Sequence, residues 1–159
     1  MKLKVLAPAK INLSLDIVGK RDDGYHDVAM VMQAVSLYDT VTVTDEVELN
    51  QACDIKVTCD VAGIPTDDSN IVCKATKAFF KYCNLEPKKI AIDIEKKIPS
   101  QAGLAGGSTD AAAVILALNR IFDTKLTEKD MCEIGATVGA IFGDISINTA
   151  LDKFKKGGE

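Results

Sequence analysis

Pro99-Ser100-Gln101-Ala102-Gly103-Leu104-Ala105-Gly106-Gly107-Ser108-Thr109 is the stretch of this sequence best equipped for chemistry. Gly103, Gly106 and Gly107 bear no Cβ, so the backbone can turn sharply and lie close to a ligand. Ser108 and Thr109 place hydroxyls where an alanine- and leucine-rich helical pattern begins. A helix start offers unpaired N–H groups and a partial positive charge. Together these features describe a cradle for phosphate. It is not a Walker A loop, because no Gly-Lys-Ser/Thr follows, and it is not G-x-G-x-x-G. The bland alternative is a plain strand-to-helix turn capped by Ser108 or Thr109. The density of small residues and the long lead from Pro99 weigh against it, since such extended connections are uncommon without a functional reason.

The elements around this loop read as α+β. Ile11, Leu13, Leu15 and Ile17 alternate with Asn12, Ser14 and Asp16, the pattern of a half-buried strand. Alternation resumes at Val28, Met30 and Met32, at Val41 and Val43, and at Ile55, Val57 and Cys59. Short strands joined by Asp/Asn/Gly turns predict a meandering, mainly antiparallel sheet. Ile71, Ala75, Ala78, Phe79 and Tyr82 recur at helical spacing, with Asp68 or Ser69 placed to cap. Ile90, Ile92 and Ile94 form one more strand. A second helix is expected from about Ser108 to Phe122. A third begins at Thr127, where Thr127-Glu128-Lys129-Asp130 resembles a capping box with Asp in place of Glu. The helices should lie together on one face of the sheet.

Composition sets outer bounds. The chain has 159 residues, 47% hydrophobic and 26% charged, which suits one globular domain or one lobe and excludes a disordered or low-complexity chain. The net charge of −4 argues against nucleic acid as a partner, because such binding needs a basic surface. No apolar run approaches the roughly 18 residues that cross a bilayer, so no membrane partner is expected. The N-terminus lacks the pattern of a secretory signal, and a cytoplasmic location is the expectation. Five cysteines at irregular spacing, with His26 the only histidine, argue against a zinc site and read as reduced, mostly buried thiols.

The glycine-rich loop resembles the phosphate-binding motif of the GHMP kinase superfamily. Three further segments are similar to the members that phosphorylate the 2-hydroxyl of a cytidylylated methylerythritol on the non-mevalonate route to isoprenoids. They are Ala7-Pro8-Ala9-Lys10-Ile11-Asn12-Leu13, Arg21-Asp22-Asp23-Gly24-Tyr25-His26 and Asp68-Ser69-Asn70-Ile71-Val72. The resemblance runs from the N-terminus to about Ala140. It implies a lobe like ribosomal protein S5 domain 2, with ATP and Mg2+ as cofactors and the cytidylylated alcohol as substrate. It implies that residues 99–109 wrap the ATP phosphates, that Ser108 or Thr109 lies near magnesium, and that Asn70 and Ile71 flank the adenine. Lys97 is a weaker candidate for the nucleotide rim.

Lys10 matches the active-site lysine of that family. An ammonium between two anionic reactants screens their repulsion and can lower the pKa of the attacking hydroxyl. Asn12 lies two residues on, so a strand puts both side chains on one face, opposite Ile11 and Leu13. Tyr25 offers a ring for stacking and His26 hydrogen bonds for a pyrimidine edge, as in the family's cytosine-recognition site.

The resemblance fails after Ala140. Ile141 stands where the family carries an aspartate that orients the substrate hydroxyl, and Asp144 is three residues beyond. Residues 1–140 are expected to be the N-terminal ATP-binding domain and 141–159 a divergent tail, with nothing that resembles the family's C-terminal lobe. A lobe without that partner is expected to expose apolar surface and self-associate. A non-catalytic nucleotide-binding or assembly module, and a GHMP kinase with another alcohol substrate, are the competing readings.

Overall fold

A computed structural model of the chain describes residues 1–20, 22, 24, 26–46, 54–86 and 88–138. The elements run β1 (Lys2–Lys20), β2 (His26–Asp45), β3 (Ile55–Cys59), α1 (Ile71–Tyr82), β4 (Ile90–Glu95), α2 (Gly106–Ile121) and α3 (Glu128–Thr137). The four strands form one sheet in the order β1-β2-β4-β3. Its two antiparallel pairings, β1 with β2 and β2 with β4, are joined by a parallel pairing of β3 with β4. That parallel pair needs a crossover, and α1 supplies it.

The expected short strands at 28–32 and 41–43 are two parts of one long strand. Bulges hide this from the sequence. Between Pro8 and Lys10 on β1 the partner on β2 jumps from Tyr38 to Ala34, and further shifts fall at Asn12/Ser14 and Ile17/Gly19. Each bulge breaks the two-residue period while the ladder continues beyond it.

One face of the sheet is apolar. Val5, Ala7, Val41, Val43, Ile90, Ile92 and Ile94 are buried there against Val72 and Phe79 of α1 and Ile115 and Leu116 of α2. On the other face, Asp93 and Glu95 of β4 are exposed. The helices therefore share one face, as the alternation of β4 requires. The ten residues Thr109–Leu118 of α2 are all buried, so this helix lies at the centre of the fold. Phe79, Phe80 and Phe122 close the far end with ring centroids 5.4–6.4 Å apart. Cys59, Cys73, Cys83 and Cys132 are buried or half-buried.

The outer half of the β1–β2 hairpin extends beyond this core. Leu13 is 62% exposed and Ile17 65%, with Leu15 and Val31 also open to solvent. Alternation correctly marks a strand here, but the expected half-burial is absent among the described residues, because the helices cover only the inner half of the hairpin.

Candidate functional site

The connection from β4 to α2 wraps a cleft of about 630 Å³, lined by the chain from Pro99 to Ser108 and closed by Lys10, Asn12, Lys96, Asn70 and Asp110. That volume suits a small-molecule ligand. The backbone of the loop is strained in a specific way. Gln101 (φ 58°) and Ala105 (φ 60°) occupy the left-handed region without being glycine, and Gly103 (φ 72°) sits between them. Such conformations cost of order 1 kcal/mol each for a residue with a Cβ and gather at functional sites.

The three helices begin differently. Asn70 caps α1 through its side chain, which accepts from Val72 N, and Thr127 caps α3 in a reciprocal box with Asp130. The box expected at Thr127 is therefore formed, whereas the α1 cap is Asn70 rather than Asp68 or Ser69. Ala105 stands at the start of α2 and provides no side-chain cap. The first amides of α2, at Gly106, Gly107 and Ser108, thus open onto the cleft with the positive end of the helix dipole behind them. A helix start of this kind is suited to an anion.

Lys10 approaches the same loop from β1. Its backbone N–H donates to Leu104 O at 3.0 Å. Its ammonium donates to Gly103 O at 2.8 Å and to Asn12 Oδ1 at 3.2 Å. The residue is only 4% exposed, and burial pulls the pKa of its ammonium below the ordinary lysine value. Lys10 and Asn12 share a face, as expected for alternate strand residues, and Ile11 lies on the other. The bulge after Asn12 then brings Leu15 and Ile17 to the Lys10 side, paired with Met30 and Val28. His26, opposite Lys20, ends that same face. Met32, the partner of Asn12, is six positions along β2 from His26, so the two ends are at most about 20 Å apart. Tyr25 lies outside the described residues, as do Ile141 and Asp144.

The other sequence candidates are placed as follows. Ser108 is half-buried and lines the cleft. The Thr109 hydroxyl donates to Ala105 O and Gly106 O at 3.2 and 3.0 Å, and Thr109 is not among the residues lining the cleft. Asn70 spends its amide on the local chain, donating from Nδ2 to Pro65 O at 2.6 Å and accepting from Val72 N at 3.0 Å, while Ile71 lies along the cleft wall. Lys97 is exposed and away from the cleft, and the neighbouring Lys96 takes the inward position.

Sequence reading missed a buried charge cluster beside this loop. The Lys96 ammonium bonds Asp39 Oδ2 and, at 2.9 Å, Asp110 Oδ2. Asp39 is fully buried, and its Oδ1 accepts from the N–H groups of Lys97 (2.5 Å) and Ile98 (2.8 Å). Asp110 Oδ1 has no hydrogen-bond partner among the described residues. Burial pushes the Asp110 carboxyl up to about 7, with the Lys96 ammonium opposing the shift and the Asp39 carboxylate adding to it. For Lys96, burial lowers the pKa, but attraction to the two carboxylates outweighs it and the net direction is upward. The available signal was an isolated charge in an apolar run: Asp110 among Ala111–Leu118, and Asp39 just before Val41. Such charges are buried only when paired.

The family model described as the GHMP kinases N terminal domain matches residues 70–152. The chain belongs to the GHMP kinase family. It is 45% identical over 138 residues to the 4-diphosphocytidyl-2-C-methyl-D-erythritol kinase of Clostridium botulinum, a match covering 87% of this chain and 47% of that protein. The protein of the same description from Bacillus cereus is 42% identical over 154 residues, covering 94% of this chain and 52% of its own length. The chain thus spans about half the length of the curated relatives it matches. A crystal structure of 4-(cytidine 5'-diphospho)-2C-methyl-D-erythritol kinase superposes with a TM-score of 0.74 at 29% identity, over 92% of this chain and 49% of that one. A mevalonate kinase structure, 19% identical with a TM-score of 0.63, shares the GHMP fold. Among the described residues, no helix is long and apolar enough to cross a membrane.

Proposed function

We propose that this chain binds ATP in the loop 99–108 and takes part in transferring its terminal phosphoryl group to the 2-hydroxyl of 4-diphosphocytidyl-2-C-methyl-D-erythritol. One observation carries the reading: α2 starts without a side-chain cap inside a cleft, directly after a strained glycine-rich loop. Amides of Gly106, Gly107 and Ser108 would hold phosphate oxygens, and Ile71 would lie against the base. Phosphoryl transfer depends mainly on positioning and electrostatics. Lys10, held between the loop and Asn12, would place its charge where the donor phosphate and the acceptor hydroxyl meet. The acceptor would lie along the hairpin face from Asn12 to His26, with the cytosine at the His26 end. A face of that length suits an elongated, diphosphate-linked molecule. The 42–45% identity to relatives named for that substrate supports this choice of alcohol.

Magnesium fits this site as a cation carried by the nucleotide. No group of three His, Cys, Asp or Glu side chains that could hold a metal is present among the described residues. Mg2+ ordinarily binds through one or two protein groups together with substrate phosphates and water. Ser108 offers its hydroxyl to that shell, whereas the Thr109 hydroxyl is engaged within α2. When bound, the ion would supply neutralisation of phosphate charge.

Nucleotide binding without transfer is the second reading, favoured by Ile141 at the position where the family carries an aspartate. Titration with Mg·ADP and, separately, with the cytidylylated alcohol tests both. Binding of the two ligands, each weakened by Lys10→Ala, with ATP turnover that requires the alcohol, supports the kinase reading. Binding without turnover supports the second, and no ADP binding overturns both. A cytoplasmic setting and self-association through the exposed hairpin face belong to the same proposal, the latter checked by sedimentation.

A further inference from the structure

We propose that Asp39, Lys96 and Asp110 are positioning residues that hold the two ends of the 99–108 loop at a fixed separation. This deepens the nucleotide reading above and rests on it for its effect on affinity. Asp39 sits in the C-terminal half of β2, and its Oδ1 takes the N–H groups of Lys97 and Ile98, the residues that lead into the loop. Its other oxygen holds the Lys96 ammonium, which reaches on to Asp110, the fifth residue of α2, just past the point where the loop ends. Entry and exit are therefore tied through one buried ammonium. The three side chains are nearly inaccessible, at 0% for Asp39, 7% for Lys96 and 4% for Asp110.

A cluster of two carboxylates and one ammonium is an expensive way to fasten a loop, because each buried ion loses its hydration. Well-packed apolar side chains of similar volume often serve stability equally well. What apolar side chains cannot supply is direction. Asp39 fixes two N–H vectors and one ammonium, and through Asp110 Lys96 ties α2, one turn past its start, to the strand end. The amides of Gly106, Gly107 and Ser108 then converge on the cleft instead of sampling several orientations. Preorganised donors bind a charged group more tightly because they need not be ordered on binding.

The test compares the wild-type chain with Lys96→Met/Asp110→Leu, which removes the bridge while filling its volume, and with Asp110→Asn, which keeps an oxygen facing the ammonium. Calorimetric titration with Mg·ADP and amide hydrogen exchange are measured on each. The expected result is a cooperatively folded double variant with affinity for Mg·ADP lowered about tenfold or more. Its amides at 97–108 should exchange faster while those of β4 are unchanged. Asp110→Asn should recover most of the lost affinity. Wild-type affinity and loop protection in the double variant would overturn the proposal. So would an Asp110→Asn loss as large as that of the double variant, since the charge would then act on the ligand directly. If the double variant fails to fold, wild-type exchange decides: protection of Lys97 and Ile98 amides comparable to Ile92 supports the tie, and rapid exchange refutes it. Failure of the wild type to bind ADP would remove the nucleotide reading but leave the exchange comparison to judge the tie.

Discussion

Replacing Gly106 by alanine isolates the cost of crowding the start of α2. A Cβ built on Gly106 would lie 3.0 Å from Ile98 Cγ2, 3.1 Å from Lys96 Nζ and 3.2 Å from Ile98 Cβ. Ile98 is buried, and Lys96 is held by two carboxylates, so neither is a freely moving neighbour. Overpacking of this kind costs about 1–3 kcal/mol. If the ammonium withdraws from Asp110, a buried charge loses its partner, and the loss approaches the roughly 3–5 kcal/mol seen on breaking such pairs. Gly107→Ala is the control, because its Cβ would meet only Ile71 Cγ2 at an ordinary 3.7 Å. Alanine also gains up to about 1 kcal/mol of helix propensity over glycine there. Gly103→Ala should fall between the two: nothing lies within 4 Å, but φ is +72°, a conformation costing about 1–2 kcal/mol for alanine. Urea denaturation of the three variants should rank them Gly107→Ala, Gly103→Ala, Gly106→Ala in falling stability. Equal stability of Gly106→Ala and Gly107→Ala would refute the packing assigned to this corner.

Other perturbations have definite signs. The Asp110 carboxyl is raised from an unfolded value near 3.8 to about 7, so the folded state binds the extra proton between these values. Its contribution should therefore be fully present below about pH 4 and decline as pH rises toward 7, at up to about 1.4 kcal/mol per pH unit. Denaturant unfolding of wild type against Asp110→Asn across that range checks this, and a difference independent of pH would contradict it. Thr127→Ala removes the reciprocal box at α3 and should cost about 1 kcal/mol, read by the same assay. Ala105→Gly relieves a left-handed φ of 60° and should change stability by less than about 1 kcal/mol while loosening the loop, which amide exchange at 103–108 would register. Tyr82 donates to Asp130 and Glu133, and the hydrogen bond to Asp130 leads in pushing its phenol up to about 12. Its ionisation in an ultraviolet titration should fall near pH 12, and Asp130→Asn should advance it.

The loop, the second helix and the capping box at Thr127 were legible because each depends on local chemistry: small residues, alanine content and a Thr-to-Asp spacing. Lys10 and Asn12 sharing a face was legible for the same reason, since no bulge falls between them. What lay beyond Asn12 was not. The bulge there reverses the alternation, so Leu15 and Ile17 face the side that parity counted from Ile11 assigns to polar groups. The Asp39–Lys96–Asp110 cluster was hidden because it joins residues far apart in sequence, 57 positions between Asp39 and Lys96. Lys96 reaching the cleft while Lys97 is exposed was not legible, because β4 ends at Glu95 and the chain leaves strand geometry immediately after it.

The grip of Lys10 on Gly103 and Leu104 has a mechanical consequence. Through it, the inner strand of the hairpin and the glycine-rich loop become one stiff piece, fastened by a backbone bond and a side-chain bond at the same spot. Neither half can slide along the other without breaking both. A fluorescent label on the inner hairpin should accordingly sense a nucleotide it never touches.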